Sequence, residues 1–205
     1  MNFPSKLVKE AARQLSTLPG VGKKSALRLV LHILKQPKPN VHKFGESFIN
    51  LINNIKYCEE CYSISDLKIC EICSNNSRER TLICVVEDIR VMMAIESTMK
   101  FNGVYHVLGG LISPLDGIGP SEIKSEELIN RIEKNRINEV IFALSSTMEG
   151  DTTNYYLYSK IKKYGIKISS IAKGVSIGYE LEHTDEITLA TAISSRMPYE
   201  NSLSK

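Results

Sequence analysis

Apolar residues recur at helical spacing through the first quarter of the chain. Leu7, Val8, Ala11, Ala12 and Leu15 line one face of a predicted helix. Ala26, Leu27, Val30, Leu31, Ile33 and Leu34 line a second, and Phe44, Phe48, Leu51, Ile52 and Ile55 a third, with Pro37 and Pro39 punctuating the link between these two. From Thr81 onward short apolar runs alternate with helical stretches. Strands are predicted at 81–86, 104–108, 139–144 and 166–171, and helices at 88–97, 125–135 and 152–163, with another near 185–195. This alternation predicts a mainly parallel sheet flanked by helices. The fold class is therefore α+β in several parts, a helical amino-terminal domain followed by an α/β domain.

Composition adds exclusions. Of 205 residues, 42% are hydrophobic and only 7% aromatic, with no Trp, so aliphatic side chains must supply most of the core. Seven prolines and twelve glycines, spread along the chain, exclude a collagen-like or low-complexity protein. The longest apolar runs, Leu82 to Val86 and Val140 to Leu144, are far shorter than a membrane span. No apolar segment precedes the first charges, so no secretory signal is read, and a soluble, cytoplasmic protein is expected.

The net charge of +3 is unevenly distributed. Residues 1–57 hold ten Lys/Arg against two acids, Glu10 and Glu46, whereas residues 58–205 are net acidic. A basic segment on a near-neutral chain suggests a local polyanion site, although a solvated helical surface would carry the same charge. The linker between the first two helices favours the former. It reads Leu18-Pro19-Gly20-Val21-Gly22-Lys23-Lys24-Ser25. Two glycines around one apolar residue allow a tight turn with Val21 anchored in the core. Such a turn presents backbone N–H groups at the next helix start, which suits a phosphate oxygen. Lys23, Lys24 and Arg28 lie close by in sequence. The pattern resembles the helix-hairpin-helix, which binds the DNA backbone without reading bases. A phosphate-binding P-loop is rejected: Thr17 stands where that motif needs its first glycine, and no strand precedes it.

Four of the five cysteines fall as Cys58-x2-Cys61-x8-Cys70-x2-Cys73. Two such knuckles can close a four-thiolate zinc site, with no position left open for catalysis. An iron–sulfur cluster is the alternative. Cys84 lies within a predicted buried strand and reads as a small hydrophobe. Acids follow the strands, Glu87 and Asp88 after the first, Glu149 and Asp151 after the third. Ligands gather at the carboxyl ends of parallel strands, which makes these acids candidates. Helix capping explains Asp88 better, and function is slightly favoured for Glu149 and Asp151.

The order of these parts resembles the RecR family of bacterial recombination proteins. The resemblance covers nearly the whole chain, through Val85-Val86-Glu87, the segment from His106 to Pro120, the segment from Thr147 to Thr153, and Ile171 to Glu182. It implies a helix-hairpin-helix domain at 1–56, a four-cysteine zinc finger at 57–74, an α/β Toprim domain at 81–176 and a carboxy-terminal oligomerisation segment at 177–205. Catalytic Toprim domains hold Mg²⁺ with a glutamate and a D-x-D motif. Here Glu87 matches the glutamate, but Ser145 and Thr147 stand in place of the two aspartates. Neutral hydroxyls cannot replace carboxylates as ligands for a hard cation, so no enzymatic activity is expected and the domain reads as a binding platform.

By the same resemblance the protein is expected to form a dimer or tetrameric ring that clamps DNA. It would act with RecO and RecF to load RecA on gapped single-stranded DNA. Gly20, Gly22, Lys23, Lys24 and Arg28 would line the DNA path, Cys58, Cys61, Cys70 and Cys73 would hold one structural Zn²⁺, and Glu149 and Asp151 would face RecO. Two other readings remain: a metal-dependent Toprim nuclease or primase-like enzyme using Glu87, Glu149 and Asp151, and a zinc-bearing interaction adaptor with merely solvated basic helices.

Overall fold

The computed structural model describes residues 5–176, 178, 180–196 and 198–200. It divides into two units, 1–55 and 56–205. In the first, α1 (Lys6–Leu15) and α2 (Lys23–Leu34) pack through Ala12, Ala26 and Val30, with Val8, Leu15 and Val21 around them. These are positions that the helical periodicity places on the inner faces. α3 (Lys38–Asn54) follows Pro37, with Pro39 in its first turn, where a missing N–H breaks no helical bond. None of the residues of α3 is buried.

The second unit opens with β1 (Lys56–Tyr57) and β2 (Ile64–Ser65), an antiparallel pair, and the short α4 (Glu71–Ser74). The α/β part then runs β3 (Glu79–Val86), α5 (Ile89–Ser97), β4 (Gly103–Val107), α6 (Ser125–Lys134), β5 (Glu139–Ala143), α7 (Met148–Ile161) and β6 (Lys167–Ser170). The sheet order is β4-β3-β5-β6, and every pairing is parallel. Alternation along β3 sends Ile83 and Val85 to one face and Cys84 and Val86 to the other. The first face meets Leu128 and Ile132 of α6 and Leu157 and Ile161 of α7. The second meets Met92 of α5. The result is a three-layer helix–sheet–helix arrangement, as the alternating pattern predicts. Further on lies α8 (Glu186–Ser194).

Two features depart from the sequence reading. The cysteine-rich stretch contains a small strand pair and a helical turn that its polar composition does not announce. α7 begins at Met148, four residues before the predicted start, because the Thr147 hydroxyl accepts from the Gly150 N–H and caps the first turn. Gly150 is required there, since a Cβ would fall 1.8 Å from the carbonyl oxygen of Ser145. Of the expected carboxy-terminal segment, Ile177, Tyr179, Met197 and 201–205 lie outside the described residues.

Candidate nucleic-acid interface and metal centre

The α1–α2 connection closes on a turn in which the Val21 N–H donates to the Leu18 carbonyl at 3.1 Å. Pro19 and Gly20 are its central residues, and Gly20 has φ +76°, the type II turn pattern that glycine satisfies without strain. The turn drives Val21 onto Ala12, Ala26 and Val30. Gly22 then caps α2 in extended conformation, with φ −75°. Neither that angle nor packing within the chain demands glycine, because a Cβ at Gly22 meets nothing within 4 Å. The first helical bond of α2 runs from the Ala26 N–H to the Gly22 carbonyl, and no side chain caps the helix. The N–H groups of Lys23, Lys24 and Ser25 therefore point out of the helix end unsatisfied by the described residues. Lys23, Lys24 and Arg28 are exposed. Lys24 and Arg28 are one turn apart, and none of the three forms an ion pair among the described residues. Arg13, by contrast, is tied to Glu10 at 2.7 Å, and this guanidinium holds the Glu10 carboxyl down at about 2.

The four predicted metal ligands converge. Their sulfur atoms all lie within 4.8 Å of one another, with Cys61 Sγ and Cys70 Sγ 3.6 Å apart. Tetrahedral zinc with bonds of about 2.3 Å requires sulfur–sulfur separations of about 3.8 Å. The fold positions the thiols through backbone bonds: Cys58 N–H to Ser63 O at 2.8 Å, Tyr62 N–H to Cys58 O at 2.9 Å and Ser74 N–H to Cys70 O at 2.9 Å. Amide donors also reach the sulfurs, Cys70 N–H to Cys58 Sγ at 3.3 Å and Cys73 N–H to Cys70 Sγ at 3.4 Å. Hydrogen bonding among the crowded thiols pushes Cys61 and Cys73 up, whereas Cys70, the acceptor, is held down. A dication at the centre stabilises all four thiolates together, and the site is suited to one zinc ion. Cys84 sits apart, buried in β3, where burial alone pushes its thiol up to about 12.

At the carboxyl edge of the sheet the structure brings Glu87 and Ser145 together. Ser145 Oγ donates to Glu87 Oε2 at 2.5 Å. Thr147 is occupied as the cap of α7. Asp88 caps α5, accepting from the N–H groups of Arg90 at 2.8 Å and Val91 at 3.1 Å, as the capping reading predicts. Glu149 and Asp151 lie on the first turn of α7 rather than in a loop, and Asp151 pairs with Lys173 at 3.1 Å.

Residues that the sequence did not flag fasten the zinc module to the sheet. Arg80 donates to the Cys73 carbonyl and to Glu60, both at 2.7 Å. Tyr62, in left-handed conformation at φ +63°, meets the buried His106 edge-on at 5.5 Å. A positive φ at a non-glycine residue has no sequence signature, and neither partner is near the other in the chain.

Comparison with known proteins matches four family models: the RecR helix-hairpin-helix over residues 8–51, the RecR zinc finger domain of the four-cysteine type over 55–75, the Toprim domain over 81–172, and the RecR C-terminal model over 174–197. Among curated relatives, "Recombination protein RecR" of Flavobacterium psychrophilum is 52% identical over 202 residues, 98% of each chain. That of Flavobacterium johnsoniae is 53% identical over 200 residues, 98% of this chain and 97% of its own. That of Bacteroides fragilis is 52% identical over 197 residues, 96% of each.

Proposed function

The chain belongs to the RecR family of recombination proteins, and from that premise we propose that it is a non-enzymatic, DNA-binding mediator of recombination in DNA repair. It acts with RecO and RecF to load RecA on gapped single-stranded DNA. The observation that carries the DNA-binding half is the open start of α2. There Gly22 leaves room for close approach, and among the described residues three N–H groups lack an acceptor and Lys23, Lys24 and Arg28 form no ion pair. A phosphate oxygen meets all of these needs at once. Base edges find no reader in this set, so the binding is independent of sequence.

Assembly into a ring-like homo-oligomer is the second element. α3 supports it, because Phe44, Phe48, Ile49, Leu51 and Ile52 are all exposed on a helix that buries nothing. An apolar surface of this kind marks an interaction site. Several copies around one DNA multiply a weak contact through effective concentration. In this reading 1–56 is the DNA-binding domain, 57–74 the zinc finger, 81–176 the Toprim platform and 177–205 an oligomerisation segment. Glu149 and Asp151 form the acidic face that meets RecO. The alternative, a metal-dependent Toprim enzyme using Glu87, Glu149 and Asp151, is disfavoured because among the described residues these three carboxylates do not converge as a ligand set: Asp151 is paired with Lys173, and the partner of Glu87 across the sheet edge is a hydroxyl.

The deciding experiment is a salt titration of binding to a gapped duplex with and without RecO, with Mg²⁺ present. Lys23→Glu/Arg28→Glu is expected to abolish most affinity and to lower the salt slope by about 2, and the DNA stays intact. Equal binding by the double variant places the DNA elsewhere, and cleavage lost in Glu87→Ala restores the enzyme reading.

A further inference from the structure

Residues 152–170 contain four lysines and four tyrosines and no acidic residue, within a part of the chain that is otherwise net acidic. α7 and the single turn after it (Lys162–Tyr164) bring this composition to one surface. The inner side of α7 is committed to the core through Thr153, Leu157 and Ile161. Its outer side carries Tyr155, Tyr158 and Lys162, spaced three and four apart along one stripe. Tyr155 is 75% and Tyr158 47% exposed. Lysine ammoniums lie over three of the four tyrosine rings: Lys160 Nζ is 5.6 Å from the Tyr156 centroid, Lys162 Nζ 6.0 Å from Tyr158 and Lys163 Nζ 4.8 Å from Tyr164.

Carboxylates border this surface at both ends: Asp151, one turn before Tyr155 on α7, is paired with Lys173, and two acids lie at the far end. Glu139 holds Lys167 at 2.9 Å, and Glu133 accepts from the Tyr164 hydroxyl. Lys160 and Lys162 form no ion pair among the described residues. The patch thus combines unpaired positive charge with broad, water-exposed aromatic faces. Leu157 and Ile161 are buried and Met148 is exposed only at the helix start, which leaves little on this side to enter a lipid surface. Acidic peptides satisfy the ammoniums but make no use of flat rings. A single-stranded nucleic acid uses both, since its phosphates neutralise lysines and its unpaired bases stack on aromatic rings.

We propose that the outer face of α7 is a second nucleic-acid contact, which binds single-stranded DNA by stacking bases on Tyr155 and Tyr158 against phosphates held by Lys162, with Lys160 adding charge from the flank of the helix beside Tyr156. Duplex DNA, with its bases already stacked, gains only the charge term. The site adds to the hairpin reading without depending on it.

The test uses the full zinc-loaded chain with a short oligothymidylate and a duplex of equal length. In the absence of Trp, intrinsic fluorescence comes from tyrosine, so stacking reads out directly as quenching. Tyr155→Ala/Tyr158→Ala is expected to weaken oligothymidylate binding by about fivefold or more per ring, with duplex binding nearly unchanged and quenching reduced. Tyr155→Phe/Tyr158→Phe keeps the rings and is expected to keep the affinity. Lys160→Glu/Lys162→Glu lowers the salt slope for both DNAs. The same series on a Lys23→Glu/Arg28→Glu background separates this face from the hairpin, because residual single-strand binding there must still depend on the rings. The proposal is overturned if the alanine pair binds oligothymidylate like the wild type. Equal losses for duplex and single strand, or Phe variants that lose as much as Ala variants, overturn it too. All substituted side chains are at least partly exposed, and thermal unfolding with zinc content confirms intact folding of each variant.

Discussion

The backbone amide of Val107, the last residue of β4, donates to the carbonyl of the zinc ligand Cys61 at 2.8 Å. β4 is an edge of the four-stranded sheet, and this bond occupies part of its free rim. The zinc module therefore shields an edge that would otherwise present unpaired donors for pairing with another chain. Ile72 reinforces the junction, packing against both the cysteine cluster and the α5 face of the sheet.

Zinc removal accordingly reaches into the α/β domain. Chelation, or Cys61→Ser, is expected to expose the Val107 amide to hydrogen exchange, whereas the amide of Ile141 in the central β5 stays protected. An amide left without its partner costs about 1–3 kcal/mol, so thermal unfolding shifts downward and edge-mediated aggregation increases. Unchanged exchange at Val107 in the metal-free protein would show that the module and the sheet are independent.

Gly20 and Gly22 separate backbone need from ligand need. Gly20→Ala forces a side chain into φ +76° and is expected to cost about 1 kcal/mol of stability, with DNA affinity falling only as the turn distorts. Gly22→Ala adopts its φ without strain and meets no atom, so stability stays within about 1 kcal/mol of the wild type. The methyl group nevertheless stands where a phosphate must approach, and DNA affinity is expected to fall about tenfold, the worth of one charge-assisted hydrogen bond. Chemical unfolding and DNA titration of the two variants read the contrast. Full DNA binding by Gly22→Ala would remove the close-approach argument.

The helices of the first unit, the parallel sheet and the cysteine ligand set are all legible in the sequence, because each rests on a short-range period or spacing. What stays hidden is set by long-range backbone bonds. The Val107–Cys61 bond joins main-chain groups and leaves no mark on residue identity. The early start of α7 depends on a threonine cap and on Gly150 pressed against Ser145, which a local apolar count cannot register. Tyr155 and Tyr158 are visible as letters, but a tyrosine in a helix reads as core until its exposure is known. The meeting of Glu87 with Ser145 follows only once β3 and β5 are known to be neighbours.

That meeting supports a gain-of-function test. Ser145→Asp sets a second carboxylate where a hydroxyl now donates to Glu87, and two like charges at that range oppose each other. The variant is expected to lose about 1–3 kcal/mol at neutral pH, to recover on acidification, and to gain stability on addition of Mn²⁺, which the wild type does not. Thermal unfolding with and without the metal measures both effects. A variant as stable as the wild type and indifferent to metal would mean that the two side chains are not held together.

His106 gives the domain a pH dependence. It is fully buried in β4, with Nε2 donating to the Lys124 carbonyl at 2.7 Å and Nδ1 left without a partner among the described residues. Burial pushes its pKa down from 6.5 to about 4, the Arg131 guanidinium works in the same direction, and the Lys124 carbonyl and Glu127 oppose them. The unfolded chain takes up a proton near 6.5, whereas the folded protein resists it to about 4. Between those values the unfolded state binds more protons, so stability falls as pH drops through this window, by up to about 3 kcal/mol. Above it the histidine is neutral in both states and contributes no slope. His106→Gln keeps a donor for Lys124 but does not titrate. Urea unfolding of the zinc-loaded protein from about pH 7 to about pH 5 should therefore give a shallower loss of stability in His106→Gln than in the wild type. Any contribution from the zinc thiolates is common to both proteins and cancels in the comparison, so identical slopes would remove His106 from the account.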